Sequence, residues 1–363
     1  MSDAIKALLS LLVPLAVTFF ILPRFAHMAT YIGLVDIPNR RKLHRMPKPL
    51  VGGLAMSLGV AFGCLLFIPL NFIKGYAGGG LRGYYAGSVL LVVIGFFDDF
   101  KEVHHRLKFF AQIIAAILIV LFSRVSLVTF GDLLSFGSIN FPLLAIPMTI
   151  LGTVGVINAL NMIDGVDGLA GGISLVAFSA FAVLSYIDGH VVTLLLCLAL
   201  CGAIIAFLWY NWNPAKLFMG DAGSLFLGFT ASFVSIVLTQ EQESIVRPVA
   251  PLLVLAVPIT DTLTVMIKRI IRGKSPFYAD RTHLHHVLLK FGFTKRQTTS
   301  IIIAMSSAFS LLALAGTVFE FPEYSLFMIF LAYFFAYFLS SFFVKRALRN
   351  HRTRKVRRSS AIA

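Results

Sequence analysis

The sequence predicts an all-α polytopic membrane protein of about eleven transmembrane helices, with the N-terminus outside and the C-terminus in the cytoplasm. Three observations carry this. Of the 363 residues, 58% are hydrophobic and 13% charged, with a mean hydropathy of +0.88, whereas a soluble domain carries about 25% charged residues. Apolar runs of bilayer length recur from end to end. The Lys and Arg residues crowd into alternate loops.

A hydrocarbon core about 30 Å thick needs roughly 20 apolar residues in a helix. The runs that meet this need cover 4 to 23, 51 to 71, 83 to 97, 109 to 127, 142 to 161, 169 to 187, 191 to 210, 222 to 239, 249 to 267, 298 to 318 and 324 to 344. The first is too long for a secretory leader, lacks a small-residue cleavage site and is followed by further spans, so it is read as a retained helix. Loops rich in Lys and Arg stay cytoplasmic. Of the 31 such residues, 26 fall in the loops after the odd-numbered spans and in the tail, which leaves Lys6, Lys74, Arg82, Arg124 and Arg247 for the other side.

No Pro- or Ser-rich linker divides the chain and no internal repeat is present, so residues 1–344 read as a single membrane domain. Residues 345–363 read as a basic cytoplasmic tail, expected to be disordered and to lie against anionic lipid headgroups at about 1 kcal/mol per basic residue. The net charge of +15 follows from this topological bias. It does not indicate nucleic-acid binding, since no soluble domain presents a basic face. Cys64, Cys197 and Cys201 lie inside apolar runs and read as small buried hydrophobes, with neither a disulfide framework nor a thiolate zinc site.

The polar residues that break the apolar pattern fall into five groups, every one on the predicted cytoplasmic side. They are "VDIPNRRKLH" with Asp36, "FFDDFKE" with Asp98 and Asp99, "NALNMIDGVDGLAGG" from Asn158 to Gly172, "NWNPAKLFMGDAGS" from Asn211 to Ser224, and "SPFYADRTHLHH" from Ser275 to His286. In the third group Asn158, Asn161, Asp164 and Asp167 recur every third position, so a helix continued through them carries a polar stripe. Gly165 and Gly168 allow the backbone to turn and approach a ligand. A carboxylate at the centre of a membrane helix costs on the order of 2.5 to 3.5 kcal/mol on insertion scales, so such groups face a polar cavity. The alternative is an interfacial loop capped by Asn and Asp without a ligand.

Asp98 and Asp99 close the third span, where a helix C-terminus favours cations, so another group must compensate them. Two carboxylates with phosphate oxygens and water are what Mg²⁺ uses when a phosphorylated substrate is handled; the alternative is an exposed acidic turn balanced by Lys101 and Arg106. Asp221 precedes small residues at the start of span eight, where free backbone N–H groups suit a phosphate and the carboxylate suits its metal. Phe218 offers either a stacking surface for a base or an interfacial anchor. Arg281, His283, His285 and His286 read as sugar phosphate recognition rather than as a zinc site, because no thiolate accompanies them. No P-loop, GxSxG or dinucleotide fingerprint is present.

These five groups, in this order and over nearly the whole chain, resemble the bacterial polyprenyl-phosphate N-acetylhexosamine-1-phosphate transferases. The resemblance implies transfer of a sugar 1-phosphate from a UDP-sugar to a polyprenyl phosphate with release of UMP, by an enzyme that uses Mg²⁺ and accepts Mn²⁺ in its place. The "ADRTHLHH" form is similar to the branch that joins UDP-N-acetylglucosamine to undecaprenyl phosphate and starts teichoic acid linkage units, O-antigens and related polymers. The sister branch, phospho-N-acetylmuramoyl-pentapeptide transferase of peptidoglycan synthesis, has a different histidine-rich loop and is the alternative within the class. An ion-coupled secondary transporter is the alternative from another class, and it would place paired acids in two related halves.

Residue by residue, the resemblance implies that Asp98 deprotonates the lipid phosphate, that Asp99 positions lipid phosphate or metal, and that Asp221 binds Mg²⁺. It places Asn161, Asp164, Asp167, Asn211 and Phe218 at the nucleotide site, with Asp164 and Asp167 in the catalytic set. Arg281, His283, His285 and His286 then recognise sugar and diphosphate, and Lys108 and Asp36 match further substrate-binding positions. Glu102 stands where the family pattern often has Asp. A location in the bacterial cytoplasmic membrane, contact with membrane lipids and a homodimer are also implied.

Overall fold

The computed structural model describes residues 2–38, 46–68, 80–241, 243–276 and 282–360, with side chains as far as residue 343. Lipid offers no partner for backbone N–H and C=O groups, so apolar runs satisfy them internally as helices. In chain order these are α1 (Asp3–Ile32), α2 (Gly52–Phe67), α3 (Arg82–Lys101), α4 (His105–Leu118), α5 (Ala145–Ile163), α6 (Leu169–Ile187) and α7 (Val191–Asn211). There follow α8 (Gly220–Gln240), α9 (Val249–Val254), α10 (Ala256–Ile271), α11 (Leu284–Phe291), α12 (Lys295–Val318) and α13 (Glu323–Ser360). A single small antiparallel ribbon, β1 (Val35–Asp36) with β2 (Lys48–Pro49), is the departure from an all-α fold among the described residues.

Nine helical segments among the described residues are long and apolar enough to cross a membrane, not eleven. The second predicted span is the apolar but 16-residue α2. The ninth is not one helix: it breaks at Leu255 into α9 and α10. Pro258 accounts for the break, because it has no N–H to offer the Val254 carbonyl and its ring crowds that oxygen. The third span, short in the sequence reading, is the 20-residue α3 and carries Asp98 and Asp99 in its last turn. The basic segment after residue 344, expected to be without structure, continues α13 to Ser360.

The buried centre of the bundle is α8, against which α2, α3, α5, α6 and α7 all pack. Small residues make this possible: a Cβ on Gly53 would collide with the Gly223 backbone, and one on Gly95 with the backbone of Ala222. In a membrane bundle such close backbone approach supplies the van der Waals contact that hydrophobicity cannot. α1 lies along α7 and α2, while α12 rests on α6 and α9.

The loops predicted to share one side gather at one end of the bundle. There Phe218 N donates to Pro49 O at 2.8 Å, Lys48 Nζ to Ala215 O at 2.6 Å, and Gly168 N to Asn211 Oδ1 at 2.9 Å. The loops predicted for the other side meet at the far end, where Val128 N and Thr129 N donate to Gln240 Oε1 and Ile245 N donates to Asp188.

Candidate active site

The site is built where the end of α3 meets the start of α8. Gly220 has φ +74°, and a Cβ there would strike the Asp99 carboxylate, so only glycine lets the two helix ends close up. Asp99 Oδ1 accepts from Asp221 N at 2.8 Å and Oδ2 from Ala222 N at 3.2 Å. The carboxylate that is unfavourable at the C-terminus of α3 thus caps the N-terminus of α8, where a negative charge is favoured. The first N–H groups of α8, expected from the sequence to face a phosphate, are held by Asp99 instead.

Asp98 takes the other direction. The chain turns at Glu102 (φ +44°) so that Val103 N donates to Asp98 Oδ1 at 2.7 Å. Lys108 Nζ then bridges Asp98 Oδ2 and Asp221 Oδ2, each at 2.9 Å. From α5, Asn161 Nδ2 donates to Asp221 Oδ1 at 3.1 Å and to Ser224 Oγ at 2.8 Å. Asn158 Nδ2 donates to Gln112 Oε1 at 2.6 Å.

The expected polar stripe does not run along one helix. α5 ends at Ile163, so Asn158 and Asn161 lie on the helix while Asp164 and Asp167 lie in the turn before α6, closed by Gly168 at φ +76°. Asn211 locks this turn to the next loop, accepting from Gly168 N and donating to Leu217 O at 2.9 Å. Asp167 Oδ2 accepts from Asn213 Nδ2 at 2.9 Å and faces Lys295 Nζ at 3.4 Å. Asp164 has neither a hydrogen bond nor an ion pair to its carboxylate among the described residues, and it opens on the cleft. Although the residue is exposed to the cleft, the partial loss of water around it, then the charges of Asp221 and Asp167, push its pKa up to about 7.

The histidines arrive from α11. His283 and His285 are buried with their rings stacked 5.9 Å apart, and His285 lies against Gly165 so closely that a Cβ there has no space. Burial, then the charge of His286, pulls the His285 pKa down to about 3, so this imidazole is neutral at physiological pH. Among the described residues His285 Nδ1 has no hydrogen-bond partner. Arg281 and Asp280 lie outside the described residues. Among the described residues, the guanidinium of Arg269, on α10, reaches His283.

Two cavities meet over these groups. One, of about 790 Å³, is lined by Asp36, Asp98, Asp99, Asp167, Asn211 and Phe218 among others; the second, of about 650 Å³, by Lys108, Phe109, Gln112, Arg269, His283 and His285. Both share Asn161, Asp164, Gly165, Asp221 and His286 as a common wall. Every predicted site residue that is described therefore opens on one two-lobed cleft. A separate cavity of about 520 Å³ between Arg124 and His190 contains none of them.

Comparison with known proteins decides the relationship. The family described as Glycosyl transferase family 4 matches residues 81–239. A Bacillus subtilis protein named "Probable undecaprenyl-phosphate N-acetylglucosaminyl 1-phosphate transferase" is 34% identical over 85% of this chain and 85% of its own. The chain belongs to glycosyl transferase family 4. Proteins of Yersinia pestis and of Escherichia coli K12, both named undecaprenyl-phosphate alpha-N-acetylglucosaminyl 1-phosphate transferase, are 34% and 33% identical over 92% and 88% of this chain and 91% and 86% of their own lengths. The segment matched to glycosyl transferase family 4 runs from the start of α3 to the end of α8, so it contains Asp98, Asp99, Asp164, Asp167, Asp221 and Lys108 but not Asp36, the histidines or Arg269.

Sequence reasoning missed four residues of this glycosyl transferase family 4 site. Asp261, buried in α10, binds His283, and Tyr337, on α13, donates to Asp261; Arg269 lines the smaller lobe, and Lys295 faces Asp167. One signal was available: Asp261 is a lone acid inside a predicted span, and such residues are functional by default.

The donor set suits a hard divalent cation, since Asp164 presents an unpartnered carboxylate beside the wall that holds Asp221, and Lys108 already supplies positive charge between Asp98 and Asp221. Among the described residues no three His, Cys, Asp or Glu side chains converge on a complete metal cage. Substrate phosphates and water would supply the remaining ligands, as is usual for Mg²⁺.

Proposed function

We propose that this chain transfers N-acetylglucosamine 1-phosphate from UDP-N-acetylglucosamine to undecaprenyl phosphate. The products are UMP and undecaprenyl-diphosphate-N-acetylglucosamine, the lipid that opens synthesis of a cell-surface polymer such as teichoic acid or O-antigen. The reaction takes place in the bacterial cytoplasmic membrane, with the cleft facing the cytosol. The observation that carries this reading is the two-lobed cleft whose lobes join at Asp164, Asp221 and Asn161. A transferase needs two substrates to meet at one set of charges, and here the larger lobe offers Phe218 for a base while the smaller holds Lys108 and Arg269 for phosphates. The names of the relatives supply undecaprenyl phosphate and the N-acetylglucosaminyl 1-phosphate group; UDP as its carrier is what the motif resemblance implies.

In this reading the uridine lies in the larger lobe and the sugar phosphate in the smaller one. The lipid phosphate enters beside Phe109 on α4, which keeps its tail in the membrane. An oxygen of the lipid phosphate attacks the phosphorus that bears the sugar; the bond from that phosphorus to the bridging oxygen breaks, and UMP leaves. Asp98 accepts the proton of the lipid phosphate. Lys108, Arg269 and the amide of Asn161 meet the charge that gathers on the phosphoryl oxygens, which is the main task in phosphoryl transfer. Asp221 and Asp164 would hold Mg²⁺, or Mn²⁺ in its place, and the ion would neutralise the diphosphate.

Release of UMP by the purified protein, given undecaprenyl phosphate, Mg²⁺ and UDP-N-acetylglucosamine, tests the proposal. Release that needs the lipid phosphate and the metal, and is lost in Asp98→Asn, is expected. Release with UDP-N-acetylmuramoyl-pentapeptide but not with UDP-N-acetylglucosamine would overturn the substrate assignment.

A further inference from the structure

Behind the smaller lobe lies a buried polar chain whose inner members, Asp261 and Tyr337, have no part in the roles assigned above. Asp261, on α10, is 2% exposed and fully engaged: Oδ1 accepts from Leu284 N at 2.9 Å and from Tyr337 Oη at 2.6 Å, and Oδ2 accepts from His283 Nδ1 at 2.8 Å. His283 Nε2 in turn lies 3.4 Å from Arg269 Nη2, while Arg269 Nη1 donates to Pro276 O at 2.6 Å. Arg269 and His283 both line the lobe, whereas Asp261 and Tyr337 do not.

The order of donors along this chain is determined by its two ends. A carboxylate only accepts, so His283 Nδ1 carries the proton; a guanidinium only donates, so His283 Nε2 is the bare lone pair that receives Arg269. Which imidazole nitrogen is protonated is set by the partner of the other. Burying a carboxylate with three donors around it is costly unless each bond is made, and here each one is.

We propose that Asp261, seconded by Tyr337, is a positioning residue that fixes the tautomer of His283 and through it aims the Arg269 guanidinium into the lobe that takes the sugar phosphate of UDP-N-acetylglucosamine. Tyr337 brings the last helix into this role, so α13 is part of the recognition apparatus and not only a span. The inference rests on the proposed transfer reaction for the identity of the ligand, but not for the direction of the chain.

The geometry specifies what each substitution does. Asparagine at 261 has one oxygen where three donors need acceptors. With that oxygen kept for Leu284 N and Tyr337, its amide faces His283 Nδ1 and forces the opposite tautomer, which sets His283 Nε2–H against the Arg269 N–H. Tyr337→Phe removes one donor and leaves the tautomer intact, so its effect is smaller and it serves as the variant least prone to misfolding.

The experiment measures UDP-N-acetylglucosamine affinity by calorimetry, and KM for both substrates with kcat, on the full-length protein in detergent. Asp261→Asn is expected to weaken UDP-N-acetylglucosamine binding about tenfold, as loss of an orienting partner does elsewhere, while KM for undecaprenyl phosphate changes less than about twofold. Asp261→Glu should restore most of the affinity. Asp261→Asn combined with His283→Ala should be no worse than His283→Ala alone, because both break one chain. Unchanged UDP-N-acetylglucosamine affinity in folded Asp261→Asn, or full additivity with His283→Ala, would overturn the proposal. Should Asp261→Asn fail to fold, Tyr337→Phe with wild-type affinity would overturn the part given to Tyr337, and a measurable loss restricted to the UDP-sugar would support it. Wild-type protein that binds UDP-N-acetylglucosamine yet releases no UMP would refute the transfer reaction, and the affinity ratio between wild type and Asp261→Asn would still decide the relay.

Discussion

Two carboxylates, Asp221 at the start of α8 and Asp261 within α10, are each tied to a cation, yet they are built for opposite purposes. The Asp221 side chain is 28% exposed and pairs with the partly exposed Lys108 ammonium at the wall shared by both lobes. The Asp261 side chain is 2% exposed and reaches its guanidinium only through a fixed imidazole. Contacts of the first kind can be exchanged for a metal ion or a phosphate, because water and ligand reach both partners. Contacts of the second kind cannot be exchanged without leaving a buried charge unpaired, which is strongly destabilising. Exchangeable charge belongs to chemistry and locked charge to orientation, and the two meet in one lobe.

That contrast is broken most severely at Asp221. Asp221→Asn keeps the size of the side chain and its place at the start of α8, so the protein should stay folded while turnover falls on the order of 10³-fold. Near-normal UMP release with an unchanged Mg²⁺ requirement would remove Asp221 from the exchangeable set. Lys108→Ala should cost on the order of 10²-fold in kcat, because Asp98 and Asp221 then face each other without their shared cation; an effect confined to thermal stability would make Lys108 a structural bridge only. Phe218→Ala should weaken inhibition by UMP about tenfold, the worth of one base stacked on an aromatic ring, and equal inhibition would show that uracil binds elsewhere. Gly220→Ala sharpens the structural side of the comparison. It should lower thermal stability by about 1–2 kcal/mol through left-handed backbone strain alone, with further loss from the collision with Asp99, and an unchanged melting temperature would contradict the close approach of α3 and α8.

Much of this was legible in the sequence, and the reasons for the rest are physical. Apolar run length located the helices, since lipid leaves the backbone no alternative, and the five polar groups mark the cleft because polar residues in such a chain need a reason to be there. The break at Leu255 was legible in principle from Pro258, but a composition window averages over a single proline. Asp99 was expected to be compensated by lipid phosphate or metal, because the N–H groups of Asp221 and Ala222 that hold it lie more than a hundred residues away. Separations of 22 and 76 residues likewise hid the His283–Asp261–Tyr337 chain, which joins three elements that no local pattern connects. The turn at Asp164 was signalled by Gly165 and Gly168, yet the regular three-residue spacing of amides and acids favoured a continuous stripe.

The most direct test of the account is the fate of the phosphorus atom that carries the sugar. The purified protein is given undecaprenyl phosphate and UDP-N-acetylglucosamine labelled with ³²P at that position, and organic and aqueous phases are then separated. The account predicts that the label moves into the lipid phase in step with UMP release. Label that stays in water as UDP while the sugar moves to the lipid would mean that the cleft transfers the sugar alone, and would contradict it.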